Sequence, residues 1–320
     1  MPTDAVFELG DLELELGGTL PDARVAYRTH GELAPGRGNA ILFPHMYSAT
    51  PASLDPWIGV GRALDPCRWF VICPGQLANG VSSSPSNSAH PFPELTIGDD
   101  VTVQHRLVSE GFAIERLALV LGFSMGAQQA YEWAVRFPSM VSRLAAFAGL
   151  AQTTPANELL VAASADALRT GGTRQHGRFW AATGLSPALF RDEAWREAGF
   201  ASVSDLVTRL FEEDYERREP ADLLAQLAKW RRADVSRHAD GDLAAALARI
   251  SARTVVAAFS TDGWFPVADC RAEQELLPAG ALRVVESVWG HYAWGITAAE
   301  TAQIEQILAE LLEEPVAVAT

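Results

Sequence analysis

One segment constrains the fold of this chain more than any other, the stretch LALVLGFSMGAQQAYEWA from Leu117 to Ala134. Its first five residues are apolar and predict a buried parallel strand, and helical spacing follows the last glycine. Between strand and helix stands Ser124, with one glycine two residues before it and another two residues after it. A strand, a sharp turn and a helix are the context in which a Gly-x-Ser-x-Gly pattern becomes informative.

The glycines on either side of Ser124 follow from the geometry of such a turn. The turn is tight and strained, and a Cβ atom at Gly122 or Gly126 would crowd the crossing of strand and helix. The helix that begins there directs free N–H groups and the positive end of its dipole toward the serine. We therefore predict that Ser124 is a nucleophile, the alternative being a chance Gly-Ser-Gly turn.

The composition is that of a globular chain and disfavours several classes of partner. Of the 320 residues, 48% are hydrophobic and 20% are charged, which allows a substantial core. The net charge of −15 disfavours nucleic acid and anionic membranes, whose phosphates it would repel. There is no apolar run of about 18 residues, so no membrane span is expected. The acidic N-terminus is unlike a signal peptide, and we expect a cytoplasmic protein.

Cysteines and histidines give no sign of a metal or redox site. Cys67, Cys73 and Cys270 lack zinc-ligand spacing, and their odd number disfavours a disulfide framework. The seven histidines are scattered, and no predicted helix carries a pair of ligands. We therefore expect no metal and no cofactor.

Strands and helices alternate along the first 150 residues. Alternating apolar positions in residues 5–29 predict antiparallel strands at a sheet edge. The other elements predicted here are buried strands at Asn39–Pro44, Arg68–Cys73 and Leu144–Ala148 and helices at Trp57–Leu64 and Thr96–Glu110. This alternation predicts an α/β fold with a mostly parallel central sheet flanked by helices.

The alternation stops near residue 151 and resumes near residue 250. The intervening pattern is helical throughout, and its tryptophans, Trp180, Trp195 and Trp230, are expected in a core. Afterwards a strand is predicted at Thr254–Phe259, a helix from Val267, a strand at Leu282–Glu286 and a helix at Ala298–Leu312. We predict one catalytic domain, with its core in residues 1–150 and 250–320 and an inserted helical cap in residues 151–249.

A serine nucleophile needs a base to take its proton and an acid to orient that base. In the strand-turn-helix context the chain order is serine, acid, histidine, each following a strand. His291 alone follows a strand near the C-terminus, whereas the other histidines precede Ser124 or lie in the helical insertion. Asp262 follows the preceding strand and is the predicted acid, with Asp269 as the alternative.

The negative charge that develops on a substrate oxygen needs backbone N–H donors, an oxyanion hole. One donor belongs to the residue after the nucleophile, Met125. The other is expected from the loop after the Asn39–Pro44 strand, at Tyr47 or Met46. The residues predicted as candidates for the substrate pocket are His45, Phe123, Trp264 and Tyr292.

With these residues in place, the chain resembles the homoserine O-acetyltransferase family of α/β-hydrolases over most of the predicted sheet. The matching stretches are Ala26–Gly31, Phe92–Val101 with Gln104 and His105, Gly122–Ala134, Asp262–Pro266, and Gly290 with His291. The resemblance implies the α/β-hydrolase fold and a triad of Ser124, Asp262 and His291. It also implies an acyl-serine intermediate and ping-pong transfer.

The resemblance weakens where the acyl acceptor would bind. Acetyltransferases of this family have Gly-His-Asp at the histidine, where this chain has Tyr292, and they have glycines in place of Phe123 and Ala127. The Arg-Phe-Asp segment of their cap is also not matched by Trp230–Ser236. Because a tyrosine supplies no charge for the ammonium group of an amino acid, the fold and triad transfer but homoserine does not.

Three functions are consistent with this pattern. We favour hydrolysis of a small ester, thioester or amide. The first alternative is an acyltransferase that uses acetyl-CoA or another acyl-CoA as co-substrate, with a cap that excludes water. The second is a non-catalytic protein that keeps the fold for its pocket, although an intact serine, acid and histidine order weighs against it. A homodimer through the cap helices is plausible.

Overall fold

A mixed sheet of eight strands forms the centre of the molecule, of which the computed structural model describes residues 1–313. The strands are β1 (Thr3–Glu13), β2 (Thr19–His30), β3 (Ala40–Leu42), β4 (Phe70–Pro74), β5 (Leu119–Phe123), β6 (Arg143–Phe147), β7 (Arg253–Phe259) and β8 (Gly280–Val285). Their order across the sheet is β1-β2-β4-β3-β5-β6-β7-β8. Residues 314–320 of the predicted core segment lie outside the described residues.

The strands run antiparallel at one edge of the sheet and parallel elsewhere, as the sequence predicts. β1 and β2 pair antiparallel at the sheet edge, and β2 also pairs antiparallel with β4. From β4 to β8 all neighbours are parallel. All residues of β3, β4 and β5 are buried, as expected for strands covered by helices on both faces. The predicted α/β-hydrolase architecture is confirmed.

Ten α-helices surround the sheet in the part of the chain that the structure describes. They are α1 (Ile97–Arg106), α2 (Met125–Arg136), α3 (Pro155–Gly184), α4 (Pro187–Arg191), α5 (Val203–Val207), α6 (Glu213–Glu216), α7 (Pro220–Arg231), α8 (Leu243–Leu247), α9 (Val267–Gln274) and α10 (Ala298–Glu313). Helices α3 to α8 lie between β6 and β7, and we treat them as the proposed cap. None of these ten helices has the length and apolar composition that crossing a membrane requires.

The helix predicted at Trp57–Leu64 is not formed. Instead a 3₁₀ helix covers Pro51–Trp57, and the following residues turn, with Gly61 at a φ of +79°. The segment contains two glycines, Gly59 and Gly61, at positions that would be interior to such a helix. Glycine disfavours a helix interior because it loses the most conformational entropy there.

The parallel strands bring four loops to one edge of the sheet. The loops after β3, β5, β7 and β8 carry Met46, Ser124, Asp262 and His291. Loops at the carboxyl ends of parallel strands form the usual ligand-binding edge of such a sheet. The fold therefore places four distant segments of the chain within reach of one another.

Candidate active site

Ser124 occupies the strained turn between β5 and α2. Its φ of 53° and ψ of −121° are costly for a residue with a side chain, and its N–H donates to Phe147 O at 2.8 Å. A Cβ atom on Gly122 would lie 2.2 Å from the carbonyl carbon and oxygen of Gly126. A Cβ atom on Gly126 would lie 2.5 Å from Pro44 O. The glycines are therefore required by the close crossing of strand, helix and the loop after β3.

A chain of two hydrogen bonds links Ser124, His291 and Asp262. Ser124 Oγ lies 3.0 Å from His291 Nε2, and His291 Nδ1 lies 2.8 Å from Asp262 Oδ2. All three residues are at most 5% exposed. With Nδ1–H donating to the carboxylate, Nε2 is free to accept the proton of the serine hydroxyl. Asp269, the alternative acid, lies in α9, and within residues 1–313 it forms no hydrogen bond or ion pair with His291.

The acid is itself held by the backbone of its own loop. Asp262 Oδ1 accepts the N–H groups of Trp264 at 2.8 Å and Phe265 at 3.2 Å. Thr261 Oγ1 donates to Ser287 O at 2.9 Å and accepts the N–H of Gly290 at 3.0 Å. The loop that carries Asp262 is thus joined to the loop that carries His291 by hydrogen bonds between the Thr261 side chain and backbone groups.

The two segments predicted to supply the oxyanion hole are adjacent. We call residues 45–48 the oxyanion loop. The close approach of Gly126 to Pro44 places the start of α2 directly against the beginning of this loop. Within residues 1–313, the N–H groups of Met46, Tyr47 and Met125 find no protein acceptor, so they remain available to a ligand oxygen.

Ser124 and His291 open into a cavity of about 400 Å³. Of the predicted pocket and oxyanion residues, Met46, Tyr47, Trp264 and Tyr292 line it. The cap contributes further lining residues that the sequence did not single out, chiefly Leu210, Phe211, Asp214, Tyr215 and Arg218. Trp180, predicted to be a core residue, is 2% exposed and also faces this cavity.

His45 and Phe123 do not line the cavity, and this part of the prediction is wrong. His45 is the first residue of the oxyanion loop, and its side chain is completely buried, with Nδ1 2.8 Å from Met46 O. Burial lowers the pKa of His45 to about 3, so its imidazole is neutral. The Phe123 ring packs in the core against Trp57 and Phe147, because strand alternation directs it away from the Ser124 hydroxyl.

The wall beside His291 is aromatic and uncharged. The Tyr292 ring packs edge-on against Phe211, with 4.8 Å between ring centroids, and lies 6.0 Å from Trp264. Burial raises the pKa of the Tyr292 and Tyr215 hydroxyl groups well above the usual value, so both are protonated. This wall depends on cap residues that no sequence motif marks.

Charged groups on the cavity wall come from the cap. Arg218 and Asp214 form an ion pair with 3.1 Å between Nη2 and Oδ1. No cluster of three or more His, Cys, Asp or Glu side chains suited to a metal ion occurs in residues 1–313. The hydrogen bonds from Ser124 Oγ through His291 to Asp262 are the arrangement that acyl transfer through Ser124, with His291 as base, requires.

Comparison with known proteins agrees with this geometry. The family model described as the alpha/beta hydrolase fold matches residues 39–294. An ethyl acetate hydrolase of Pseudomonas veronii is 40% identical over 97% of this chain and 95% of its own length. A homoserine O-acetyltransferase of Clavibacter michiganensis is 31% identical over 96% of this chain and 92% of its own.

A solved structure extends the comparison to three dimensions. The acetylester hydrolase from Corynebacterium glutamicum superimposes with a TM-score of 0.95 at 39% identity, covering 98% of this chain and 96% of its own. The resemblance read from the sequence is therefore confirmed, and the relatives include both esterases and acetyltransferases. The chain belongs to the α/β-hydrolase family of enzymes.

Proposed function

We propose that this enzyme hydrolyses small carboxylic esters, acetate esters foremost, through an acyl-enzyme intermediate on Ser124. The observation that carries the proposal is the hydrogen-bonded chain from Ser124 Oγ through His291 to Asp262, which opens into the cavity. Ester hydrolysis by relatives of about 40% identity supports the same activity here.

Acylation begins when Ser124 Oγ attacks the ester carbonyl carbon. His291 Nε2 accepts the serine proton as the bond forms, and Asp262 stabilises the resulting imidazolium through Nδ1–H. The carbonyl oxygen becomes an oxyanion that accepts hydrogen bonds from Met125 and from Met46 or Tyr47. When the tetrahedral adduct collapses, the alcohol leaves with the proton from His291 Nε2, and the acyl group remains on Ser124.

Deacylation repeats the same steps with water as the nucleophile. His291 Nε2 takes a proton from water as its oxygen attacks the acyl carbon, and the oxyanion hole stabilises the second tetrahedral adduct. Collapse returns the proton to Ser124 Oγ and releases the carboxylic acid. Neither step calls for a cofactor.

Water is favoured over an amino-acid acceptor by the residue next to His291. An amino-acid acceptor brings an ammonium group, which a carboxylate at this position would pair with. Tyr292 instead presents a neutral ring packed against Phe211. The carboxylate of Asp214, which lies on the cavity wall, is paired with Arg218.

The proposal is tested by measuring acetate release from ethyl acetate by the purified protein, with Ser124→Ala as the control. A parallel reaction contains acetyl-CoA and L-homoserine, and its products are separated by chromatography. We expect wild-type protein to release acetate, Ser124→Ala to release none above background, and no O-acetylhomoserine to form. O-acetylhomoserine as the main product would establish the acyltransferase alternative, and an inert wild-type protein would favour a binding role.

A further inference from the structure

We propose that the side-chain amides of Gln129 and Gln76 are positioning residues that orient the oxyanion loop. Each donates to backbone carbonyl groups of that loop, and together they direct the N–H groups of Met46 and Tyr47 toward the cavity. This inference rests on the proposed function, because it assigns a role within the same hydrolytic site. Neither glutamine lines the cavity, so neither acts on substrate directly.

Gln129 joins helix α2 to the oxyanion loop. Its side chain is completely buried, and Nε2 donates to His45 O at 3.1 Å and to Met125 O at 3.2 Å. Met125 and the loop are the two predicted sources of oxyanion donors. One side-chain amide therefore bridges both halves of the proposed hole.

A buried tryptophan sets which way the Gln129 amide faces. Trp133 Nε1–H, which can only donate, contacts Gln104 Oε1 at 2.8 Å. Gln104 therefore presents Nε2 to Gln129 Oε1 at 2.6 Å. Gln129 Oε1 is used as an acceptor, and its Nε2 must face the His45 carbonyl. The chain from Trp133 to the loop thus has one donor direction throughout.

Gln76, in the loop after β4, also donates to the oxyanion loop. Its Nε2 lies 2.6 Å from His45 O and 3.3 Å from Met46 O. The neutral His45 ring adds to this contact, with Nδ1–H donating to Met46 O at 2.8 Å and Nε2 accepting the Gln76 N–H at 3.2 Å. The carbonyl groups of His45 and Met46 are therefore both held by buried side chains.

The direction of each carbonyl determines the direction of the next N–H. A trans peptide is planar, and its C=O and N–H bonds point in opposite directions. Because the His45 carbonyl is anchored toward Gln129 and Gln76, the Met46 N–H points away from them, on the cavity side that Met46 itself lines. The anchored Met46 carbonyl orients the Tyr47 N–H in the same way.

The test compares Gln129→Met with Gln128→Met. Gln128 is the adjacent residue of α2 and is equally buried, but its amide reaches Thr153 Oγ1 at 3.4 Å and not the loop. Ethyl acetate turnover is measured together with inhibition by trifluoroacetone, a ketone that forms a tetrahedral adduct with a catalytic serine. Circular dichroism establishes that each variant is folded.

We expect Gln129→Met to lower kcat by about 10- to 100-fold, somewhat less than removing an oxyanion donor outright. KM should stay within about twofold, and the inhibition constant for trifluoroacetone should rise by the factor by which kcat/KM falls. The pH profile of kcat/KM should be unchanged, since His291 is untouched. Gln128→Met should behave like wild type.

If Gln129→Met does not fold, Gln129→Glu serves in its place, because it keeps the acceptor for Gln104 and removes the amide donor. A folded Gln129 variant with wild-type kcat would overturn the inference, as would an equal loss in Gln128→Met. The comparison of wild type with Ser124→Ala tests the proposed function separately, whatever the Gln129 variants show.

Discussion

The ammonium group of Lys229 lies 2.5 Å from Asp100 Oδ2, and neither side chain has any exposed surface. Lys229 belongs to helix α7 of the proposed cap, whereas Asp100 lies in the first turn of α1 in the core. Between them, Leu77 donates its N–H to Asp100 Oδ1 and accepts from Lys229 Nζ, both at 2.8 Å. The pair therefore joins the cap to the core, with Leu77, the residue after Gln76, bound to both partners.

Removing one partner of this pair should destabilise the protein strongly. Lys229→Met leaves the Asp100 carboxylate buried without its cation, and we expect the free energy of unfolding to fall by about 3–5 kcal/mol. Urea denaturation followed by tryptophan fluorescence measures this loss. The double variant Lys229→Met, Asp100→Leu should lose less than Lys229→Met alone, because no charge is then stranded.

An exposed ion pair provides the matched control. Arg191 and Asp192 form a pair on the cap surface with both side chains largely in solvent. Arg191→Met should leave the free energy of unfolding nearly unchanged, because water already solvates both charges. Equal stability of Lys229→Met and Arg191→Met would show that burial of the Lys229–Asp100 pair has no energetic consequence.

Substitutions at the two candidate acids, Asp262 and Asp269, should have different effects on kcat. Asp262→Asn keeps the shape of the side chain but no longer stabilises the imidazolium of His291, and we expect kcat to fall by about 10³- to 10⁴-fold. Asp269 lies in α9, and the carboxylate that contacts His291 Nδ1 is that of Asp262, so Asp269→Asn should keep a kcat within about twofold of wild type. Ethyl acetate turnover measures both, and a larger loss in Asp269→Asn would reverse the assignment.

Much of the candidate site could be predicted from the sequence because its constraints are local. The strained turn that carries Ser124 is contained in Gly122–Gly126, and chain order selects His291 and Asp262 from the available candidates. These residues depend only on the strand that precedes each of them. The structure then places their polar atoms within hydrogen-bond distance.

The rest of the site could not be predicted because it depends on contacts between distant residues. His45 was expected in the pocket, but its partner Gln76 lies 31 residues further along the chain. Gln129 contacts the His45 carbonyl across 84 residues. Phe211 and Tyr215 reach the cavity only through the packing of the cap helices. Such pairings leave no periodic pattern in one sequence.

Substituting Gly122, in the turn that carries Ser124, should lower the free energy of unfolding. Gly122→Ala would place Cβ 2.2 Å from backbone atoms of Gly126, which cannot move without displacing α2. We expect a loss of about 3 kcal/mol or more, or failure to fold, because overpacking against backbone is poorly relieved. Thermal denaturation of Gly263→Ala is the control, since a Cβ there has no neighbour within 4 Å. Similar melting temperatures for the two variants would contradict the close crossing.

The titration of His176 should contribute to the pH dependence of the free energy of unfolding. Its Nε2 accepts from Trp180 Nε1–H at 2.8 Å and lies 2.9 Å from the Tyr47 hydroxyl, while Nδ1 lies 3.0 Å from Ser164 O. Burial lowers the pKa of His176 from 6.5 to about 4. Between these values the unfolded chain binds a proton that the folded protein does not. The contribution of neutral His176 to the free energy of unfolding is therefore fully present above pH 6.5 and is lost as the pH falls toward 4.

This titration is isolated by comparing wild type with His176→Gln, which carries no titratable group at the position. We expect the wild type to lose about 3 kcal/mol more than the variant between pH 7 and pH 4, from a pKa difference of roughly 2.5. Urea denaturation at each pH gives both curves. Parallel curves would mean that the folded protein accommodates a charged His176.

The most direct test of the account is whether an acyl group forms on Ser124 during turnover. Wild-type protein is mixed with p-nitrophenyl acetate, quenched in acid within milliseconds, digested and examined by mass spectrometry. We expect one acetyl group on the peptide that contains Ser124, its decay as acetate is released, and no such adduct in Ser124→Ala. Acetate release by Ser124→Ala at the wild-type rate, or an acetyl group on another residue that forms and decays at the rate of turnover, would contradict it.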